Sequence, residues 1–310
     1  MNGGIWFIST GKFGALCLKN LADKIKFSRI ITGQPTRSGR NNQQNISEVE
    51  KVAHELNLDD LIIRTGRLSE NQELLNIFNA QKPDLIFVID FGQIIREPFL
   101  SSPKFGCINI HPSLLPELRG AAPIQRALLQ NFKFTGVSIF QLTSKMDAGK
   151  IFAQEKCFIP ENFTAEDLYI HLSELGSNLA EKVVNKLPDC DFQIQDDDKA
   201  TFAPKIEKHE HELNFRMSAL EILNHVRALN MSGGAYVMLK NNKRLKILRA
   251  RIHDISGEIG SVIKISDSNN PVIACGVDSV EFLEIQPEGK KILTGSQWIN
   301  GAHIKTGDAI

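Results

Sequence analysis

No surplus charge of either sign marks this sequence: 36 Lys and Arg stand against 36 Asp and Glu in 310 residues. The balance excludes a globally basic nucleic-acid binder, so any contact with a polyanion must come from a local basic patch. Cysteine is sparse and unpatterned. Cys17, Cys107, Cys157, Cys190 and Cys275 are odd in number, scattered, and include no Cys-x-x-Cys pair. That argues against a disulfide framework or a structural zinc site and for a reducing compartment. No run of ~18 apolar residues could span a bilayer. The opening MNGGIWFISTGKFG lacks the basic start and long apolar stretch of a secretory signal. A soluble, cytoplasmic monomer with no membrane partner is expected.

What is present is 42% hydrophobic residues, in a length that suits about two domains. The first half alternates apolar strand-like runs with amphipathic helical ones. Ile5–Ser9, Ser28–Ile31, Asp84–Asp90 and Gly106–Ile110 read as strands; Ala15–Ile25, Ser47–Leu56 and Glu70–Phe78 read as helices. DLIFVID is almost continuously apolar, the pattern of a strand buried on both faces. This order predicts an α/β fold with a mostly parallel, doubly wound sheet, whose ligands bind beyond the carboxyl ends of the strands. The loop after Ser9, TGKFG, fits neither G-x-G-x-x-G nor G-x-x-x-x-G-K-[ST], and reads as a tight strand-to-helix turn.

Thr164–Leu187 has helical periodicity and closes a first domain over residues 1–188. The acidic, unperiodic stretch at 189–204 reads as a linker. In the remaining 205–310, Ser218–Leu229 looks helical. Tyr236–Leu239, Leu245–Arg251, Gly260–Ile265, Val272–Cys275 and Val280–Ile285 look like short strands, which suggests a small β-barrel.

The segment richest in chemistry is NIHPSLLPELRGAAPI, residues 109–124. Side chains alternate along a strand, so Asn109 and His111 point the same way, and Pro112 leaves them at the strand's carboxyl end. An amide can stabilise an oxyanion and an imidazole can move a proton, a pairing suited to acyl transfer. A turn-forming Asn beside a hydrogen-bonded structural His would produce the same three letters. Downstream, Thr135–Leu142 is strand-like and Asp147 follows in a loop with Gly149. A carboxylate brought near His111 would orient the imidazole, while Asp-x-Gly is also a common turn.

NIHPSLLPELRGAAPIQRAL followed by TGVSIFQLTSKMDAGKIFAQ resembles the signature of the formyltetrahydrofolate-dependent formyltransferases. The resemblance implies a Rossmann-like N-terminal domain and 10-formyltetrahydrofolate as formyl donor, with Asn109, His111 and Asp147 as the catalytic residues. With the strand-end rule, it implies a folate site at Phe91, Gly92, Gln93, Ile94, Ser113, Leu114, Leu115 and Pro116.

Three further segments resemble the branch of the family that formylates the α-amine of methionyl-tRNA for translation initiation. QPTRSGR (34–40) is similar to its acceptor-end loop, ATFAPKI (200–206) to the entry into its C-terminal domain, and LEIQPEGKKIL (283–293) to a hallmark near its end. An OB-like C-terminal barrel that binds tRNA is the corresponding expectation. The chain departs from the pattern at Ser9–Ala15, at Asn41–Gln44, where lysines are usual, and at Gly233.

KNNKRLKILRAR (240–251) carries six basic residues and no acid. Lys243, Arg244, Lys246 and Arg249 on a strand pair would meet backbone phosphates, with Arg37 and Arg40 adding contacts at the acceptor end. A lysine-protected sheet edge is the plainer alternative. No metal is expected, because the lone His209-x-His211 sits among glutamates without zinc spacing. Formyl transfer to a sugar-nucleotide amine, hydrolysis of the donor, and an idle tRNA- or folate-binding module remain as other readings.

Overall fold

A computed structural model describes residues 3–38 and 43–310. Contacts divide the chain into two compact units. The first comprises Met1–Pro123, Phe134–Phe158 and Tyr169–Ala203; the second comprises Ile124–Lys133, Ile159–Leu168 and Pro204–Ile310.

The first unit is built on β1 (Ile5–Ile8), α1 (Lys12–Leu21), β2 (Phe27–Gly33), the short pair β3 (Thr36–Ser38) and β4 (Gln43–Asn45), α2 (Glu48–Glu55), β5 (Ile62–Thr65), α3 (Gln72–Gln81), β6 (Leu85–Val88) and β7 (Cys107–His111). The chain then runs through α4 (Pro123–Leu129), which from Ile124 on counts with the second unit. It continues in the first unit with β8 (Phe134–Gln141), β9 (Ile151–Phe158) and α5 (Ala165–Lys186), whose first residues up to Leu168 also count with the second. Seven strands form one sheet in the order β5-β2-β1-β6-β7-β8-β9. It is parallel from β5 to β7, and then antiparallel through β8 and β9.

The central strands are buried on both faces, which is why they read as unbroken apolar runs. Trp6 and Phe78 meet edge to face at 5.6 Å, and Phe78 packs on Phe99 at 4.7 Å. Each fully buried side chain of this kind contributes about 1.5–3 kcal/mol. Helix starts follow local chemistry. Ser47 accepts from the Glu50 amide at 3.0 Å to cap α2, and Asn71 accepts from Leu74 at 3.0 Å to cap α3. Helix α1 starts earlier than its apolar periodicity suggests, at Lys12 and not Ala15.

The loop after Ser9 is closed by the protein itself. Asp90, at φ +47°, accepts from the Phe13 amide at 3.0 Å, and a Cβ on Gly11 would lie 1.9 Å from the same carboxylate. The positive end of α1, the usual anion site of such folds, is occupied by an internal carboxylate.

The second unit carries α6 (Ala219–Leu229), β10 (Ala235–Met238), β11 (Arg244–His253), β12 (Val262–Ile265), β13 (Pro271–Ala274), β14 (Ser279–Pro287), β15 (Leu293–Thr294) and α7 (Gly295–Ala302). Its six strands form an antiparallel sheet in the order β10-β11-β14-β13-β12, with β15 added on β14. Ser218 and Glu221 form a capping box on α6, as do Thr294 and Gln297 on α7. Irregular register between Ile247 and Ala250, and between Val262 and Lys264, bends the strands as small coiled sheets require.

Candidate active site

Strand β7 ends at His111, with Asn109 opposite Phe140 and His111 opposite Ser138 on β8. Asn109 is half-buried and lines a cavity of about 410 Å³, together with Asp147. Its other walls are Val88, Phe91, Gly92, Gln93, Ile94, Ile95, Leu100 and Leu142 to Met146. Of the expected folate contacts, Phe91, Gly92, Gln93 and Ile94 thus lie on this cavity. Gln93 is fixed there, accepting from the Leu68 amide at 3.0 Å and donating to the Gly66 carbonyl at 2.6 Å.

The Ser113–Pro116 segment is not among the lining residues. It is pinned to β8 and β9 instead. Ser138 Oγ donates to the Ser113 carbonyl at 2.6 Å and accepts from the Leu115 amide at 3.0 Å. Gln154 Nε2 donates to the Leu115 carbonyl at 2.8 Å. Leu115 belongs to a small buried cluster with Phe140 and Ile151.

His111 is 5% exposed. Its Nε2 lies 3.0 Å from the Leu118 carbonyl oxygen. A carbonyl can only accept, so Nε2 carries the hydrogen and donates, leaving Nδ1 as the basic nitrogen of the neutral ring. Nδ1 lies 3.9 Å from Asp147 Oδ2, an ion-pair distance and too long for a hydrogen bond. The same Oδ2 accepts from the Gly120 amide at 2.8 Å. Both side chains therefore take their bearing from the three-residue stretch Leu118–Gly120.

That stretch is unusually shaped. Leu118 sits at φ +58° and Gly120 at φ +126°, and a Cβ on Gly120 would meet the Ala203 carbonyl oxygen at 2.7 Å. Asp147 itself is at φ +48°. Left-handed backbone at non-glycine residues costs free energy that neighbouring contacts must offset.

Those contacts come from residues 193–203, the stretch whose composition suggested a linker. Thr201 Oγ1 accepts from the Leu118 amide at 2.8 Å, and the Thr201 carbonyl accepts from the Arg119 amide at 2.9 Å. Gln195 reaches the Asp147 loop. Neither Gln195 nor Thr143–Met146 is singled out by residue in the sequence, beyond the expectation that the Asp147 loop borders the folate. For the latter a signal existed, since they follow a strand and precede Asp147. For Gln195 there was none.

Two models of one family match the chain: "Formyl transferase" over residues 7–184, and "Formyl transferase, C-terminal domain" over residues 205–303. The chain belongs to the formyl transferase family. Among similar proteins, a methionyl-tRNA formyltransferase of Pelagibacter ubique is 37% identical over 100% of this chain and 99% of its own. One from Lactobacillus johnsonii is 35% identical over 98% of each. Among solved structures, HypX from Aquifex aeolicus in complex with tetrahydrofolic acid shares the fold, with a TM-score of 0.62 at 16% identity. That match covers 96% of this chain and 46% of HypX, so the chain spans about half of HypX's length. Membership gives Asn109, His111 and Asp147 a chemical context that their geometry alone leaves open.

In the second unit, Leu245 and Ile247 of β11 are buried while Arg244 is exposed. Register then slips between Ile247 and Arg249, and the exposed positions change from even to odd numbers. The slip keeps Arg249 and Arg251 on the solvent side, where strict alternation from Leu245 would bury them. The acid-free run is nonetheless faced by acids on β14. Arg249 lies 3.5 Å from Glu284, and Arg251 3.7 Å from the buried Glu281. Arg244 stacks on Tyr236 at 4.7 Å. Arg37 has its backbone in β3, paired with Gln44, and Arg40 lies outside the described residues.

His211 bonds the Gly234 carbonyl through Nδ1 at 3.1 Å, and Glu210 pairs with Arg126. Among the described residues, no group of three His, Cys, Asp or Glu side chains could hold a metal.

Proposed function

We propose that this chain transfers the formyl group of 10-formyltetrahydrofolate to the α-amine of methionyl-tRNA, the modification that prepares the initiator for translation in the cytoplasm. The observation that carries the reading is the shared cavity of Asn109 and Asp147, with His111 fixed behind it, in a chain that aligns end to end with methionyl-tRNA formyltransferases. The cavity suits the donor's flat, polar-edged ring. Phe91, Ile94, Ile95, Leu142 and Met146 supply apolar walls, Thr143, Ser144 and Asp147 supply polar groups, and its volume is in the usual ligand range of ~300–1,000 Å³.

The donor supplies an acyl carbon whose oxygen gathers negative charge when an amine attacks. Asn109 donates a hydrogen bond to that oxygen. Stabilisation by a fixed donor at this point is worth about 10²–10³ in rate. His111, held by Leu118, presents Nδ1 to take the proton that the attacking nitrogen must lose, and to return it to the departing folate nitrogen. Asp147 provides the counter-charge for the protonated ring and keeps its own orientation through Gly120. In balance, a C–N bond to the methionyl nitrogen forms as the C–N bond to folate breaks, and one proton moves between the nitrogens.

Arg37, Arg40, Lys243, Arg244, Lys246 and Arg249 are assigned to tRNA phosphates. The test is one assay of purified chain with 10-formyltetrahydrofolate and either methionyl-tRNA or an amino-sugar nucleotide. Formylation of methionyl-tRNA is expected; formylation of the sugar amine alone refutes the acceptor.

A further inference from the structure

A buried amide links the Asp147 loop to a segment far along the chain. Gln195 is 9% exposed and makes four hydrogen bonds. Its Nε2 donates to the carbonyls of Asp147 and Gly149, both at 2.8 Å. Its Oε1 accepts from Arg119 Nε at 3.0 Å and Nη2 at 2.7 Å. The two halves of the amide face partners of opposite kind. A guanidinium can only donate and a carbonyl can only accept, so Arg119 dictates which way the amide points. A neutral primary amide is the side chain that satisfies both sides. A carboxylate could not donate to the carbonyls, and a cation could not accept from the guanidinium.

These bonds close a ring. Asp147 Oδ2 accepts from the Gly120 amide, Gly120 follows Arg119, Arg119 holds Gln195, and Gln195 holds the carbonyl of Asp147. Arg119 is itself buried, and its charge is met by Asp197 at 2.8 Å. The ring fixes Asp147 at both ends, carboxylate and main chain, at the residue whose φ is +48°. The Gly149 end is equally tight, because a Cβ there would fall 1.7 Å from the Gln141 carbonyl oxygen.

We infer that Gln195 is a positioning residue for formyl transfer: its amide, oriented by Arg119, holds the main chain of Asp147 and Gly149 so that the Asp147 carboxylate stays between Gly120 and His111. The inference rests on the catalytic reading of Asp147 given above. It makes Gln195 act through Asp147, without a place on the cavity.

Gln195→Glu tests it. This variant keeps the size of the side chain and the acceptor for Arg119, and removes the donor to both carbonyls. In single-turnover formylation, the rate falls about 10–100-fold, the size of loss seen when a group that orients a metal ligand from behind is removed. KM for methionyl-tRNA stays within about twofold, because no substrate contact is lost. In an Asp147→Asn background, the same substitution costs less than about threefold, since residues acting through one another are non-additive. A purely structural role would leave the penalty equal in both backgrounds. Gln195→Met, which removes donor and acceptor together, is run through the same cycle.

A folded Gln195→Glu chain with the parent's rate overturns the inference, as does a loss that persists undiminished beside Asp147→Asn. Unfolding of both variants also overturns it, assigning Gln195 to stability alone. If the unsubstituted chain formylates a different amine, the acceptor reading fails, and the cycle run on that amine still decides the role of Gln195.

Discussion

Replacing Gly149 by alanine puts the geometry of the Asp147 loop to a quantitative test. The added methyl would lie 1.7 Å from the Gln141 carbonyl oxygen, 2.8 Å from its carbon and 3.2 Å from Thr143 Cγ2. A tolerable C···O approach is roughly 3.3 Å, so the two backbones must part by about 1.6 Å. Gln141 cannot easily yield, because it ends β8 opposite Ile108 and its amide donates to the Lys150 carbonyl at 2.9 Å. The loop moves instead, and the Gly149 carbonyl leaves Gln195.

Overpacking of this kind costs about 1–3 kcal/mol and the lost hydrogen bond about 1 more. A total of about 2–4 kcal/mol lowers the melting temperature of a unit this size by roughly 4–16 °C. Displacing Asp147 by about 1 Å costs on the order of 10² in turnover. Calorimetry gives the first number, and single-turnover formylation of the folded protein, well below its melting point, gives the second. A Gly149→Ala chain with unchanged melting and full turnover would refute the tight loop.

Other consequences follow from charge. Arg126 holds the Glu210 carboxyl down to about 2 from 4.5 through a bidentate ion pair. A depressed carboxyl stabilises the fold above its unfolded value, so this contribution is complete above pH 4.5 and is lost as pH falls toward 2. The full shift corresponds to at most about 3 kcal/mol. With the two side chains 14% and 20% exposed, water trims this to about 1–2 kcal/mol. Arg126→Met should therefore destabilise the chain at pH 7 and flatten its loss of stability between pH 5 and 2, measured by urea unfolding; an identical pH profile would count against the pair. On β11, Lys246→Ala should weaken tRNA binding and reduce the slope of log affinity against log salt by about 1. Arg249→Ala should reduce it less, because Glu284 already faces Arg249. Equal slopes for parent and Lys246→Ala would remove Lys246 from the phosphate contacts.

Legibility in the sequence followed burial. Leu85–Val88 lies mid-sheet and is apolar at every position, so it reads as a strand by itself. Strands β5 (IIRT) and β9 (IFAQEKCF) form the two edges of the same sheet and mix blocks of apolar and polar residues, so neither reads as a strand by itself. An edge strand buries less and so carries a weaker apolar signal. Ser47 and Ser218 cap the helices they precede, a contact made within three residues of chain.

The site divides in the same way. Asn109 and His111 were joined by strand alternation, a relation two residues long. The approach of Asp147 to His111 spans 36 positions and entered through family resemblance. Gln195 lies 48 positions beyond Asp147 in a stretch without periodicity, and nothing local distinguishes it from a linker residue. The phase change on β11 is hidden for a related reason, because a bulge depends on the partner strand as much as on its own sequence.

On the proposed mechanism, Asn109 and His111 perform formyl transfer at this cavity. Its most direct test is single-turnover transfer from 10-formyltetrahydrofolate to methionyl-tRNA by Asn109→Ala and His111→Ala, with folding checked by circular dichroism and melting. Both variants should fold, and Asn109→Ala should lose about 10²–10³ in rate, the worth of one oxyanion donor. The loss for His111→Ala should be at least about 10², as expected for a general base. Near-parental transfer by either folded variant would contradict it.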